Sequence, residues 1–128
     1  MTQKDFTEKI VNKRIESISS SLIKKNNEYA SIGDVFEAFK AGARLSLHDT
    51  KEAVAWEFMV KHLQSIQQIV SNYENNKKLP DVLLLEEKFG DAINYLILLE
   101  GMFKENIEAI YREEDPRIDK IKYNYISR

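Results

Sequence analysis

Apolar positions recur every three to four residues along most of this chain, the period of an α-helix and not the alternation of a strand. Two prolines and four glycines in 128 residues leave long stretches unpunctuated. The pattern predicts an all-α helical bundle. Phe6, Ile10, Ile15, Ile18 and Leu22 mark a first helix from about Thr7 to Lys24, weakened by Ser19, Ser20 and Ser21 and ended by the polar stretch KKNNEYASIG. A short second helix is expected from Asp34, as N-cap, to about Leu45, burying Val35, Phe36 and Phe39.

The third helix starts after Asp49 or Thr50 and carries Trp56, Met59, Val60, Leu63, Ile66, Val70 and Tyr73 at near-heptad spacing. NYENNKKLPD is a polar turn closed by Pro80, and Asp81 can cap a fourth helix reaching about Tyr111. The two long helices, about Thr50–Tyr73 and Asp81–Tyr111, form an antiparallel hairpin. One domain is expected over 1–128, with residues 112–128, which mix basic, aromatic and aliphatic side chains, as a C-terminal arm.

The fourth helix holds an inconsistency. In EEKFGDAINYLILLEGMF, residues 86–103, the apolar face Leu85, Phe89, Ala92, Leu96, Leu99 and Phe103 adjoins a polar stripe of Glu87, Asp91 and Asn94. A buried carboxylate or amide without a partner costs about 1–3 kcal/mol or more, so the stripe implies a cation, a basic side chain, a ligand or another helix.

Composition narrows the chemistry. Nineteen basic against 21 acidic residues give a formal net charge of −2, no global field for nucleic acid or an anionic membrane. With no cysteine and only His48 and His62, a metal site would be built from carboxylates and would suit magnesium or manganese. Glu57, inside the apolar run AVAWEFMV, can join Glu87 and Asp91 as a third acid, whereas Lys40, Arg44, His48 and Lys61 can pair with the same acids. No serine, cysteine or histidine arrangement supports covalent catalysis. Lys25, Asn26 and Lys40 can contact phosphate and Tyr29 can stack on a base; alternatively the aromatic residues close the core and the lysines are solvated. The charged N-terminal residues and the lack of a long uncharged apolar run predict a cytoplasmic protein without a membrane partner.

The segment KNNEYASIGDVFEAFK, residues 25–40, followed by EKFGDAINYLILL, residues 87–99, resembles the small phage and prophage proteins of the nucleotide-modification-associated domain type 1 family. More distantly, EKFGDAINYL is similar to the carboxylate helix of the all-α, MazG-like nucleoside triphosphate pyrophosphatases. The resemblance implies a homo-oligomer, a nucleotide ligand, and magnesium held by Glu57, Glu87 and Asp91. Lys61 and Lys40 would then face phosphates, and Tyr29 and Asn94 the base. Lys88 stands where that group often has a further glutamate, and Val60 and Lys61 occupy the place of a second acid. Magnesium-dependent hydrolysis of a nucleoside triphosphate and metal-free capture of a nucleotide both remain open. Capture includes a sponge that sequesters a nucleotide-derived immune signal against host defence. A helical assembly protein with no small ligand is the third reading.

Overall fold

The computed structural model describes residues 1–29 and 33–112, with side chains for all of these except 25–29. Among the described residues every regular element is helical. The first rod, α1, joins an α-helical turn Gln3–Phe6, a π-helical segment Thr7–Val11 and the α-helix Asn12–Tyr29. Thr2 caps it, its hydroxyl accepting from the Asp5 N–H at 3.1 Å. The helix thus runs beyond Lys24, through the stretch whose asparagines predicted a loop; the chain's continuation beyond Tyr29 lies outside the described residues.

Helix α2 spans Glu37–Leu45. It begins three residues later than its sequence predicts, because Asp34 makes a tight turn of its own: its carboxylate accepts from the Phe36 N–H at 3.0 Å and its carbonyl from the Glu37 N–H at 3.2 Å. That turn leaves Val35 exposed and buries Phe36.

Helices α3, Lys51–Asn76, and α4, Val82–Tyr111, form the expected hairpin. Thr50 caps α3 by accepting from the Ala53 N–H at 3.2 Å, and Asp81 caps α4 by accepting from the Leu84 N–H at 3.3 Å. Between them Lys77 adopts a left-handed conformation, φ 53°, with its N–H on the Tyr73 carbonyl, which stops α3 and turns the chain. Two cross-helix contacts set the register. His62 lies against Tyr95, and near the open end Asn106 accepts from Lys51 at 3.0 Å and donates to Glu52 at 2.8 Å.

Phe36, Ala55 and Met102 form the central cluster, with Phe39, Leu98 and Leu99 packed against it. Close approach of α2 depends on two glycines. A Cβ at Gly42 would lie 3.0 Å from Val54, and one at Gly101 would lie 3.2 Å from the Phe36 ring. Helix α1 lies over the first half of α4, where Arg14 donates to the Glu86 carbonyl at 3.3 Å.

Both α1 and α2 therefore cover one side of the hairpin. The near-heptad face of α3 is only partly covered by the described residues: Met59 is buried, but Trp56, Leu63, Val70 and Tyr73 are exposed, as are Phe89, Leu96 and Phe103 on α4. No described helix is long and apolar enough to cross a membrane.

Candidate functional site

Where α1, α2 and the hairpin meet, the packing leaves an open cavity of about 600 Å³. Leu22 of α1, Ala38 and Phe39 of α2, and Leu98 of α4 give it apolar walls, and His62, Asp91, Asn94 and Tyr95 make the polar end. Helical spacing explains the gathering. Asp91, Asn94, Tyr95 and Leu98 follow one another by one turn or less on the face of α4 that turns from α3 toward α1 and α2.

Asn94 is the sharpest feature. Its Oδ1 is buried and finds no hydrogen-bond partner among the described residues. Beside it, Asp91 faces His62 with Oδ2 3.7 Å from Nδ1, beyond direct hydrogen-bonding distance. The His62 imidazole stacks on Tyr95, ring centroids 5.2 Å apart, and Tyr95 also meets Phe39 edge-on at 6.2 Å. Burial, and then the negative charge of Asp91, push the Tyr95 hydroxyl above its ordinary value, so the phenol stays neutral at physiological pH.

At the α2 side, Asp34 and Glu37 bring two more acids to the lining, each with a basic partner: Lys40 lies 2.5 Å from Asp34, and Arg44 lies 2.7 Å from Glu37. The hydrogen bond from Lys40, assisted by the Phe36 N–H, holds the Asp34 carboxyl below the usual carboxylate value, and the same contact raises Lys40. Three carboxylates, Asp34, Glu37 and Asp91, thus line the cavity, and among the described residues no lysine or arginine does.

Of the residues singled out by sequence, Asp91 and Asn94 are brought together in this cavity. Lys40 reaches it only through Asp34. Lys61 is exposed, its ammonium 5.6 Å from the centroid of the Phe58 ring. The side chains of Lys25, Asn26 and Tyr29 lie outside the described residues. Glu57, Glu87 and Asp91 are not gathered. Glu57 turns outward to His48, with Oε2 2.6 Å from Nε2; Glu87 is exposed; and Asp91 faces His62. The cause is rotation about the helix axis. Glu57 sits about 100° from Phe58 and on the far side of it from the hairpin seam, so it cannot reach the stripe on α4.

Among the described residues no three histidine, aspartate or glutamate side chains converge on one cation position, and the donor set within one chain does not fit magnesium. His62 and Tyr95 are site residues that sequence reasoning missed. Their only advance signal was adjacency, His62 to Lys61 and Tyr95 to Asn94.

No protein-family model, curated protein or solved structure matches the chain.

Proposed function

We propose that the cavity captures a nucleobase-bearing small molecule, holding the base by its amino edge and leaving any phosphate outside. The observation that carries this reading is the orphaned Asn94 Oδ1. A buried acceptor without a partner destabilises the free protein by about 1–3 kcal/mol, and a ligand N–H that reaches it recovers that loss on binding. Asp91, one turn away, offers a second acceptor, and the Tyr95–His62 stack with Phe39 supplies an aromatic wall for a planar ring.

The charge distribution decides which part of a nucleotide enters. Phosphate would meet Asp34, Glu37 and Asp91, with Lys40 and Arg44 already engaged by acids. An exocyclic amino group with its ring meets acceptors instead, which favours adenine, cytosine or guanine over uracil or thymine. Binding of this kind rests on side-chain hydrogen bonds and draws no step from a cation.

The test is calorimetric titration with the five nucleosides and their phosphates, with and without magnesium, followed by mass spectrometry of the recovered ligand. Capture predicts affinity for the amino-bearing bases, little gain from added phosphates or magnesium, and recovery of intact ligand. Turnover to a monophosphate, or indifference to the whole series, overturns it.

A further inference from the structure

The apolar surface left open on the hairpin is ordered. Trp56, Leu63 and Val70 on α3 are spaced by seven residues, as are Phe89, Leu96 and Phe103 on α4, so each set forms one stripe with steps of about 10 Å.

Helix geometry puts both stripes on the same side. On α4, Asn94, Leu98 and Gly101 face α1 and α2, whereas Leu96 and Phe103 lie roughly 180° round the axis from them, with the α3 seam between. On α3, Val54 and Phe58 face α2, and Trp56 and Leu63 lie on the opposite side of the seam. The antiparallel register set by His62–Tyr95 and Lys51–Asn106 then aligns the stripes as three rungs, Trp56 with Phe103, Leu63 with Leu96, and Val70 with Phe89, each pair within about half a helical turn in height.

We propose that this back face of the hairpin docks on the same face of a second copy of the chain, making a four-helix layer with the ligand cavities on its two outer sides. Three observations select a second copy as the occupant. First, the ladder is self-complementary: a two-fold axis through the Leu63–Leu96 rung lays bulky Trp56 and Phe103 over the slimmer rung containing Val70, and the reverse. Second, the area suits a dimer. Trp56, Val70, Leu96 and Phe103 are 53%, 60%, 52% and 53% exposed. With Leu63 and Phe89, these side chains leave on the order of 500 Å² of apolar surface, most of the roughly 800 Å² that each partner gives to a standard interface. Third, the ladder itself carries no charge, while exposed Gln64, Gln67, Glu86 and Glu100 border it as a polar rim. On α4 the exposed apolar residues Phe89, Leu96 and Phe103 lie away from the polar stripe of Glu87, Asp91 and Asn94, and the described residues leave them open.

The chain supplies its own probes, since Trp56 is the only tryptophan and there is no cysteine. Analytical ultracentrifugation of the full chain is expected to give twice 15.0 kDa, and dilution should shift Trp56 emission to the red as the mass falls to one chain. Leu96→Cys, close to the axis, should oxidise to a covalent dimer far faster than Lys9→Cys on α1. Leu96→Glu should yield a monomer with unchanged helical circular dichroism. Should that variant lose helicity, the cysteine comparison decides. A monomer at all concentrations, or equal oxidation of the two cysteine variants, overturns the proposal. So does a dimer that forms only after removal of residues 113–128, which would make the chain's own tail the occupant.

Discussion

The imidazole of His62 lies over the ring of Tyr95 with an interplanar angle of 27°, and this one contact joins the midpoints of the two long helices at the polar end of the cavity. The stack walls that end of the cavity, next to Asp91. His62→Phe should keep the stack and hold stability within about 1 kcal/mol of wild type. His62→Ala should lose roughly 1–2 kcal/mol of stability and about tenfold in nucleoside affinity as the wall collapses. Urea unfolding and calorimetric titration of both variants check the pair of outcomes.

Asn94 separates a binding role from a structural one by the sign of a stability change. Leucine has nearly the same shape and removes the orphaned acceptor, so Asn94→Leu should stabilise the ligand-free protein by about 1 kcal/mol or more. It should also weaken nucleoside binding at least tenfold, the equivalent of about 1.4 kcal/mol. If Asn94 only held the helices together, the same substitution would lower the melting temperature.

The hairpin was legible in the sequence because its signals are local: Asp49 or Thr50 and Asp81 as caps, the polar stretch 72–81 as the turn, and apolar periodicity between them, although α3 runs on to Asn76 before Lys77 stops it. Asp91 and Asn94 were also legible, as polar groups inside an apolar helix. His62 was not, because its role depends on which α4 residue it meets across the hairpin, and a register is set by packing between helices rather than by spacing within one. Glu57 misled for the same reason. It lies one residue from Phe58 and Trp56, yet the rotation that places Phe58 over Tyr95 sends Glu57 out to His48. The start of α2 went astray through a local competitor, the Asp34 side chain, whose turn with Phe36 replaces the first helical turn.

Asn106 ties the open end of the hairpin by accepting from Lys51 and donating to Glu52, and that geometry makes stability pH-dependent. Burial pushes the Glu52 carboxyl up, but hydrogen bonds from Lys51 and Asn106 outweigh it and leave the group below its ordinary 4.5. A depressed carboxylate contributes fully above its unfolded value and loses that contribution as pH falls through the lower folded value, because the unfolded chain takes up the proton first. Stability should therefore decline as the pH drops below about 4.5, with Asp34 adding to the decline below 3.8. Glu52→Gln should be less stable at pH 7 and should show a shallower decline on acidification. Urea midpoints across the acid range, for wild type and variant, measure both.

Gly101 and Phe36 offer a test of how α2 is held over the cavity. Phe36 is buried at the start of α2, and its ring leaves only 3.2 Å for a Cβ at Gly101. Two opposing effects act at Gly101. Alanine gains about 1 kcal/mol of helix propensity over glycine, while contact with a packed ring costs about as much or more. In the wild-type background Gly101→Ala should be neutral or destabilising. Phe36→Leu is expected to cost less than about 1.5 kcal/mol, and it removes the ring atom at closest approach. In that background Gly101→Ala should become stabilising, with a coupling between the two sites of about 0.5–3 kcal/mol. Phe36→Ala should instead cost about 3–5 kcal/mol and weaken nucleoside binding, because α2 carries the cavity wall formed by Ala38 and Phe39. Additive effects in the double-mutant cycle would mean that α2 is positioned by other contacts, and that the Gly101–Phe36 approach does not set the cavity.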